Sequence, residues 1–131
     1  MNFLLDTHIF LWYISGSNLL KSEHREIIED MENEIFVSSA SIWEMIVKAK
    51  IGKLPLPSPY FDYIERQIKN HNFNLDSIEG AIFKHLEYLP DIHKDPFDRI
   101  LICQSIESKY KLITDDENIL QYSKYNDSFL A

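Results

Sequence analysis

Glu34-Ile35-Phe36-Val37-Ser38, followed at once by Ser39-Ala40-Ser41-Ile42-Trp43-Glu44-Met45-Ile46-Val47-Lys48-Ala49-Lys50-Ile51-Gly52, decides the fold class. The first five residues hold a β-branched and aromatic run, the composition of a buried strand. The period then changes. Ile42, Met45, Ile46 and Ala49 fall at i, i+3, i+4 and i+7, so residues 41–51 read as one amphipathic helix that Gly52 ends. A strand that gives way directly to a helix is the opening of a βαβ unit.

The same alternation extends in both directions. Upstream, Asn2-Phe3-Leu4-Leu5 is an apolar strand that stops at Asp6, and residues 8–14 continue as an apolar helix that stops near Gly16. A polar helix covers 22–31. Downstream, Pro55-Leu56-Pro57-Ser58-Pro59 reads as a rigid loop. A helix over 59–71 turns Phe61, Ile64 and Ile68 inward. A short strand is predicted at 73–75, then a helix over 77–89 with Ile78, Ile82, Leu86 and Leu89 on one side. Pro96 opens a helix over 96–109 at its first position. A strand at 111–114, a short helix at 117–123 and an edge strand at 128–130 complete the pattern. The alternation predicts an α/β fold: a central, mostly parallel sheet of four or five short strands with helices on both faces. Sites in such sheets lie beyond the carboxyl ends of the strands.

A length of 131 residues suits a single domain, 1–131, and 45% hydrophobic residues are enough for one core. The longest apolar run, Ile9-Phe10-Leu11-Trp12-Tyr13-Ile14, is far short of a membrane span. The first residues meet an acid at Asp6 and carry no basic segment, unlike a signal peptide. Cys103 is the one cysteine, so no internal disulfide forms. These features predict a cytoplasmic protein with no membrane association.

The net charge of −8 counts against a general nucleic-acid binder, because phosphate recognition wants a basic face. Two readings accommodate the 21 acids: a solvated acidic surface, or a subset gathered around metal. Four carboxylates holding two Mg²⁺ would take −8 to −4.

Each acid has an ordinary structural role open to it. Asp6 is placed to cap a helix, alone or with Thr7. Glu44 lies three residues after Ser41, the spacing of a capping box, and one turn before Lys48. Asp95-Pro96-Phe97-Asp98 fits a helix start with Asp95 as cap. Asp116 follows Thr114 in another cap-like segment. Yet Asp6, Glu44, Asp98 and Asp116 all lie at a strand exit or in the first turns of a helix, and in a parallel sheet these points share one edge. Capping needs no such convergence. Hard dications need it, since Mg²⁺ and Mn²⁺ favour carboxylate oxygens. No Cys/His set with zinc spacing competes.

At this point the chain resembles PIN-domain nucleases of the VapC type. The resemblance opens with Leu4-Leu5-Asp6-Thr7-His8 and Leu11-Trp12. It continues through Val37-Ser38-Ser39-Ala40-Ser41-Ile42-Trp43-Glu44 and Lys48-Ala49-Lys50-Ile51-Gly52-Lys53-Leu54-Pro55. It closes with His93-Lys94-Asp95-Pro96-Phe97-Asp98-Arg99 and Leu112-Ile113-Thr114-Asp115-Asp116. By this resemblance Asp6, Glu44, Asp98 and Asp116 bind Mg²⁺ or Mn²⁺, one ion or two, and Thr114 supports the last of them. The resemblance also implies an endoribonuclease, a homodimer, and a small antitoxin that blocks the site and recruits DNA. Asp115 departs from the family pattern, which has a small neutral residue there, so Asp115 and Asp116 compete as ligand.

In such a site two ions clamp the attacking water and the leaving oxygen, with Asp6 as the shared central ligand. Arg99 steadies a carboxylate, contacts phosphate, or makes a surface salt bridge. Lys48, Lys50 and Lys53 are either solvated helix charge or an RNA track. His8 and His93 flank the acids and are equally readable as packed or capping histidines. Cys103, among Ile100, Leu101 and Ile102, reads as core packing, and Trp12 and Trp43 read as core or dimer contacts.

Rival readings are a PIN nuclease of RNA processing that is no toxin, a degenerate PIN-like binding module, a DNA nuclease, and a phosphotransfer receiver. The receiver needs an acid pair after the first strand, where Asp6 stands alone.

Overall fold

Leu4 and Leu5 are fully buried because β1 (Asn2–Leu5) is the middle strand of a five-stranded sheet. The computed structural model describes residues 1–124 and 129–130. After β1 come α1 (Thr7–Ser15), α2 (Ser22–Glu29), β2 (Glu34–Ser38), α3 (Ser39–Lys50), α4 (Tyr60–Asn70) and β3 (Asn74–Asp76). Then follow α5 (Phe83–Tyr88), α6 (Pro96–Ser108), β4 (Lys111–Ile113), α7 (Glu117–Leu120) and β5 (Phe129–Leu130). The spatial order is β3-β2-β1-β4-β5, and every neighbouring pair is parallel. The predicted edge strand is thus present at Phe129–Leu130, while Ser128 lies outside the described residues.

The pleat of β1 sorts the core into two layers. Phe3 and Leu5 face one side, with Ile9 and Phe10 of α1, Met45 of α3 and Ile64 of α4. Leu4 faces the other side, with Leu101 and Ile102 of α6, Ile119 of α7 and Tyr122. Both faces are therefore covered, as a parallel sheet requires. Each fully buried Leu or Ile contributes about 1.5–3 kcal/mol of transfer free energy, so these two layers dominate stability.

Helix ends follow local chemistry. Gly16 closes α1 in the left-handed region (φ 66°), where its N–H reaches the carbonyls of Trp12 and Tyr13. Asp95 caps α6 as predicted, accepting from the backbone N–H groups of Phe97 (2.9 Å) and Asp98 (3.1 Å). Two predicted helices are shorter than expected. The polar one stops at Glu29, because Asp30 turns extended and takes the N–H of Glu32 on its carboxylate. The one predicted over 77–89 is a 3₁₀ turn at Gly80–Ile82 followed by α5. The Ile78 N–H is committed to Ser39 Oγ at 3.1 Å, Glu79 is extended, and Leu89 is extended ahead of Pro90. Among the described residues no helix is long and apolar enough to cross a membrane.

Candidate metal centre

From β1 the sheet runs outward through β2 to β3 on one side and through β4 to β5 on the other. The direction of winding reverses between β1 and β4, and such a reversal opens a crevice at the carboxyl ends of the strands. Asp6 leaves β1 there. Its backbone N–H extends the ladder to the Ile113 carbonyl at 3.0 Å. It occupies the cap position of α1 but makes no side-chain cap bond. Instead its Oδ2 accepts from Thr114 Oγ1 at 2.8 Å, inside the protein. Thr114 Oγ1 in turn accepts from the Asp116 N–H at 3.0 Å. Thr114 therefore supports the first acid with its proton and positions the last through the backbone, a division of labour the sequence does not reveal.

Glu44 is not part of a capping box. Ser38 caps α3, taking the Ala40 N–H on its hydroxyl at 2.9 Å. Ser41 is buried and accepts from Thr7 Oγ1 at 2.8 Å. Glu44 thus sits well inside the helix, only 3% exposed, with Oε2 on Lys48 Nζ at 2.6 Å. Its Oε1 is buried and has no hydrogen-bond partner among the described residues. Such a carboxylate oxygen costs roughly 1–3 kcal/mol unless something positive reaches it.

Asp98, in the first turn of α6, is hydrogen-bonded through Oδ2 to His93 Nε2 at 2.7 Å. Asp116 caps α7 through the Asn118 N–H at 2.8 Å. Ligand atoms of His93, Asp98 and Asp116 all lie within 4.8 Å of one another. The tightest group therefore contains Asp98, Asp116 and a histidine, while Asp6 is tied to it through Thr114 and by charge. Asp116, and not Asp115, belongs to this group.

Burial is the main force on these carboxyls. It raises the pKa of Asp6 from 3.8 to about 6, against the Thr114 hydrogen bond, with lesser repulsion from Asp116 and Glu44. Burial again leads at Asp98, raised from 3.8 to about 7, with repulsion from Asp6, Asp95 and Glu44 added and the His93 bond opposing. Asp6, Glu44 and Asp98 thus feel one another, and Asp116 acts on Asp6, so the four form one electrostatic unit.

Of the other expected contributors, Lys48 touches Glu44 and His8 acts on Asp6 by charge, while the rest are placed apart from the acids. Arg99 is neither on a site carboxylate nor free for phosphate. Its guanidinium donates to the carbonyls of Leu89 (3.3 Å), Pro90 (3.1 Å) and His93 (3.1 Å) and pairs with the exposed Asp91 at 3.3 Å. The cause is the loop before α6, whose carbonyls need donors inside the fold. Lys48 is bound to Glu44, whereas Lys50 and Lys53 are exposed, so the three lysines do not act as one strip. His8 is exposed and rests against Trp12, ring centroids 5.9 Å apart. Both line a groove of about 490 Å³ with Thr7, Lys48, Lys53 and Leu56. Trp43 is 55% exposed and meets Phe97 edge-on at 4.8 Å. Cys103 is core, and burial pushes its thiol up to about 11. Tyr122, unremarked in the sequence, is buried with its hydroxyl between Pro90 and His93.

The donor set suits a hard divalent cation. It is built mainly of carboxylates, with His93 beside them, and the unpartnered Glu44 Oε1 is the kind of buried acceptor that an ion satisfies. A doubly wound parallel sheet with acids collected at its reversal point defines an α/β domain whose crevice is compatible with a bound cation.

The PIN domain family matches residues 3–125, and the chain belongs to it. Among curated relatives, it is 33% identical over 64 residues to "Ribonuclease VapC16" of Mycobacterium tuberculosis. That match takes in 49% of this chain and 45% of the relative, so the chain spans about half the length of the curated protein it matches. Two solved structures share the fold. A crystal structure of VapBC2 from Rickettsia felis bound to a promoter DNA fragment aligns at a TM-score of 0.69 and 13% identity, covering 100% of this chain and 98% of that one. A toxin–antitoxin complex from Klebsiella pneumoniae aligns at 0.64 and 19% identity, covering 98% and 95%.

Proposed function

We propose that this chain is a divalent-metal-dependent endoribonuclease, the toxin of a toxin–antitoxin pair held in check by a small DNA-binding antitoxin and acting on RNA in the cytoplasm. The observation that carries the chemistry is the convergence of Asp6, Glu44, Asp98 and Asp116, from four separate segments, on one edge of the sheet. The named ribonuclease relative supports RNA as substrate. The toxin–antitoxin complexes that share the fold support the partner.

In this reading the four acids hold one or two Mg²⁺ or Mn²⁺ ions. An ion held by these residues would supply a water of lowered pKa as nucleophile and positive charge for the leaving 3′-oxygen. Thr114 fixes the direction of Asp6, and Lys48 offsets part of the charge of Glu44. Because burial favours the protonated form of Asp98 and, at lower pH, of Asp6, cation binding at these carboxyls would release protons. Lys50 and Lys53 give the RNA backbone positive charge on an otherwise acidic surface.

The test is cleavage of a purified RNA by the purified chain. Activity is expected with Mg²⁺ or Mn²⁺ and is expected to vanish in EDTA. Sustained cleavage in chelator, from preparations free of other nucleases, would overturn the metal reading.

We also propose a homodimer. Phe83 (47% exposed) and Tyr88 (80% exposed) on α5 leave apolar surface uncovered in the single chain. Light scattering at tens of micromolar is expected to give twice the chain mass, and a monomer there refutes the dimer.

A further inference from the structure

His93 is placed with more care than a surface histidine needs. Its loop is held by a polar clamp built inside the fold. Tyr122, 1% exposed, accepts the His93 N–H at 2.8 Å and donates its own proton to the Pro90 carbonyl at 2.7 Å. Arg99 takes the carbonyls on either side of this contact. The clamp fixes the backbone, and the ring is left to reach Asp98.

We infer that His93 Nε2 is a direct ligand of the metal bound at this site, which makes it a mixed nitrogen and oxygen site. The inference rests on the metal-binding reading above. Donors around an octahedral ion at about 2.1 Å lie about 3 Å apart when adjacent and about 4.2 Å apart when opposite. The ligand atoms of His93, Asp98 and Asp116 all lie within 4.8 Å of one another, so a small inward adjustment of these side chains brings them to one ion. A second observation points to an ion independently: Glu44 Oε1 is buried without a partner, and its charge acts on both Asp6 and Asp98.

With its ring proton on Nδ1, the Nε2 that faces Asp98 Oδ2 presents the lone pair a cation needs. On ligation the hydrogen bond to Asp98 gives way to the ion, and the proton between Nε2 and Asp98 Oδ2 passes to Nδ1 or, where Nδ1 already carries one, leaves to solvent. A consequence follows for metal choice. Imidazole suits transition ions, whereas Mg²⁺ prefers oxygen donors, so His93 tilts the site toward Mn²⁺. With the ring replaced, that tilt disappears while the carboxylates still hold Mg²⁺.

The experiment loads the full chain with Mn²⁺ alone and records electron spin-echo envelope modulation, which detects nitrogen bonded to manganese. The parent is expected to show nitrogen modulation. His93→Gln is expected to lose it and to bind Mn²⁺ about tenfold more weakly, with Mg²⁺ affinity little changed. Thermal melts with each ion check that the variant is folded. Manganese bound to the parent without nitrogen modulation overturns the inference and leaves the carboxylate site standing. Modulation that survives in His93→Gln also overturns it, since another histidine is then the ligand. A parent chain that binds no Mn²⁺ overturns both this inference and the proposed function.

Discussion

Asp98→Asn is expected to lower RNA cleavage by about a thousandfold, about 4 kcal/mol of barrier, while Asp95→Asn stays within about tenfold of the parent. The two acids lie three residues apart at the same helix start, and composition alone makes them equivalent. The structure separates them. Asp95 turns its carboxylate back onto the helix, accepting from the N–H groups of Phe97 and Asp98. Asparagine caps nearly as well as aspartate, so that substitution costs at most about 1 kcal/mol of stability. Asp98 faces the crevice, against His93 and Asp116. Its amide analogue keeps the shape and loses the charge that holds a cation. Single-turnover cleavage rates at saturating Mn²⁺, with melts to confirm folding, decide the matter. Rates in the opposite order would mean that the roles of the pair are exchanged.

How much of this was legible depended on whether the signal was local. The change of period at Ser38 marks strand against helix without any knowledge of the fold, and the alternation that follows implies the parallel sheet. Asp6, Asp98 and Asp116 are legible because an acidic residue coincides with a strand exit or a helix start. Glu44 shows where local reading fails. Ser41-Ile42-Trp43-Glu44 has the spacing of a capping box, but the helix starts earlier, with Ser38 as cap. That start is fixed by the pairing of β2 with β1 and β3, up to Ser38 opposite Asp76. Likewise, nothing near Ile78 announces that Ser39 will claim its N–H from 39 residues away and shorten the helix. The places of Arg99, Tyr122 and His93 are wholly tertiary, since each depends on a loop folding back onto α6 and the segment after α7. Clustered acids imply raised pKa values through like-charge repulsion, but repulsion is only a secondary cause here. Burial leads at both Asp6 and Asp98, and depth cannot be read from spacing.

Burial also fixes how the metal-free protein responds to pH. A carboxyl whose folded pKa is raised binds protons in the folded state that it gives up in the unfolded state. Stability therefore falls as pH rises through the window between the two values. For Asp98 the window runs from 3.8 to about 7, and for Asp6 from 3.8 to about 6. In EDTA the parent is thus expected to lose stability from about pH 4 to pH 7. Asp98→Asn removes one ionisable group with little change of shape. At pH 7 in EDTA it is expected to be more stable than the parent by about 2 kcal/mol, with a smaller advantage at pH 5. Mg²⁺ reverses the order of benefit, because an ion that binds only the folded state stabilises it by an amount that grows with affinity. The parent's melting temperature should rise more with Mg²⁺ than the variant's. A purely structural Asp98 gives the opposite result. Its charge at the start of α6 would then contribute about 0.3–1 kcal/mol through the helix dipole. The variant would melt lower in EDTA, and the Mg²⁺ response would be intact. Four thermal melts at pH 7, each protein with and without Mg²⁺, separate the two without any RNA present.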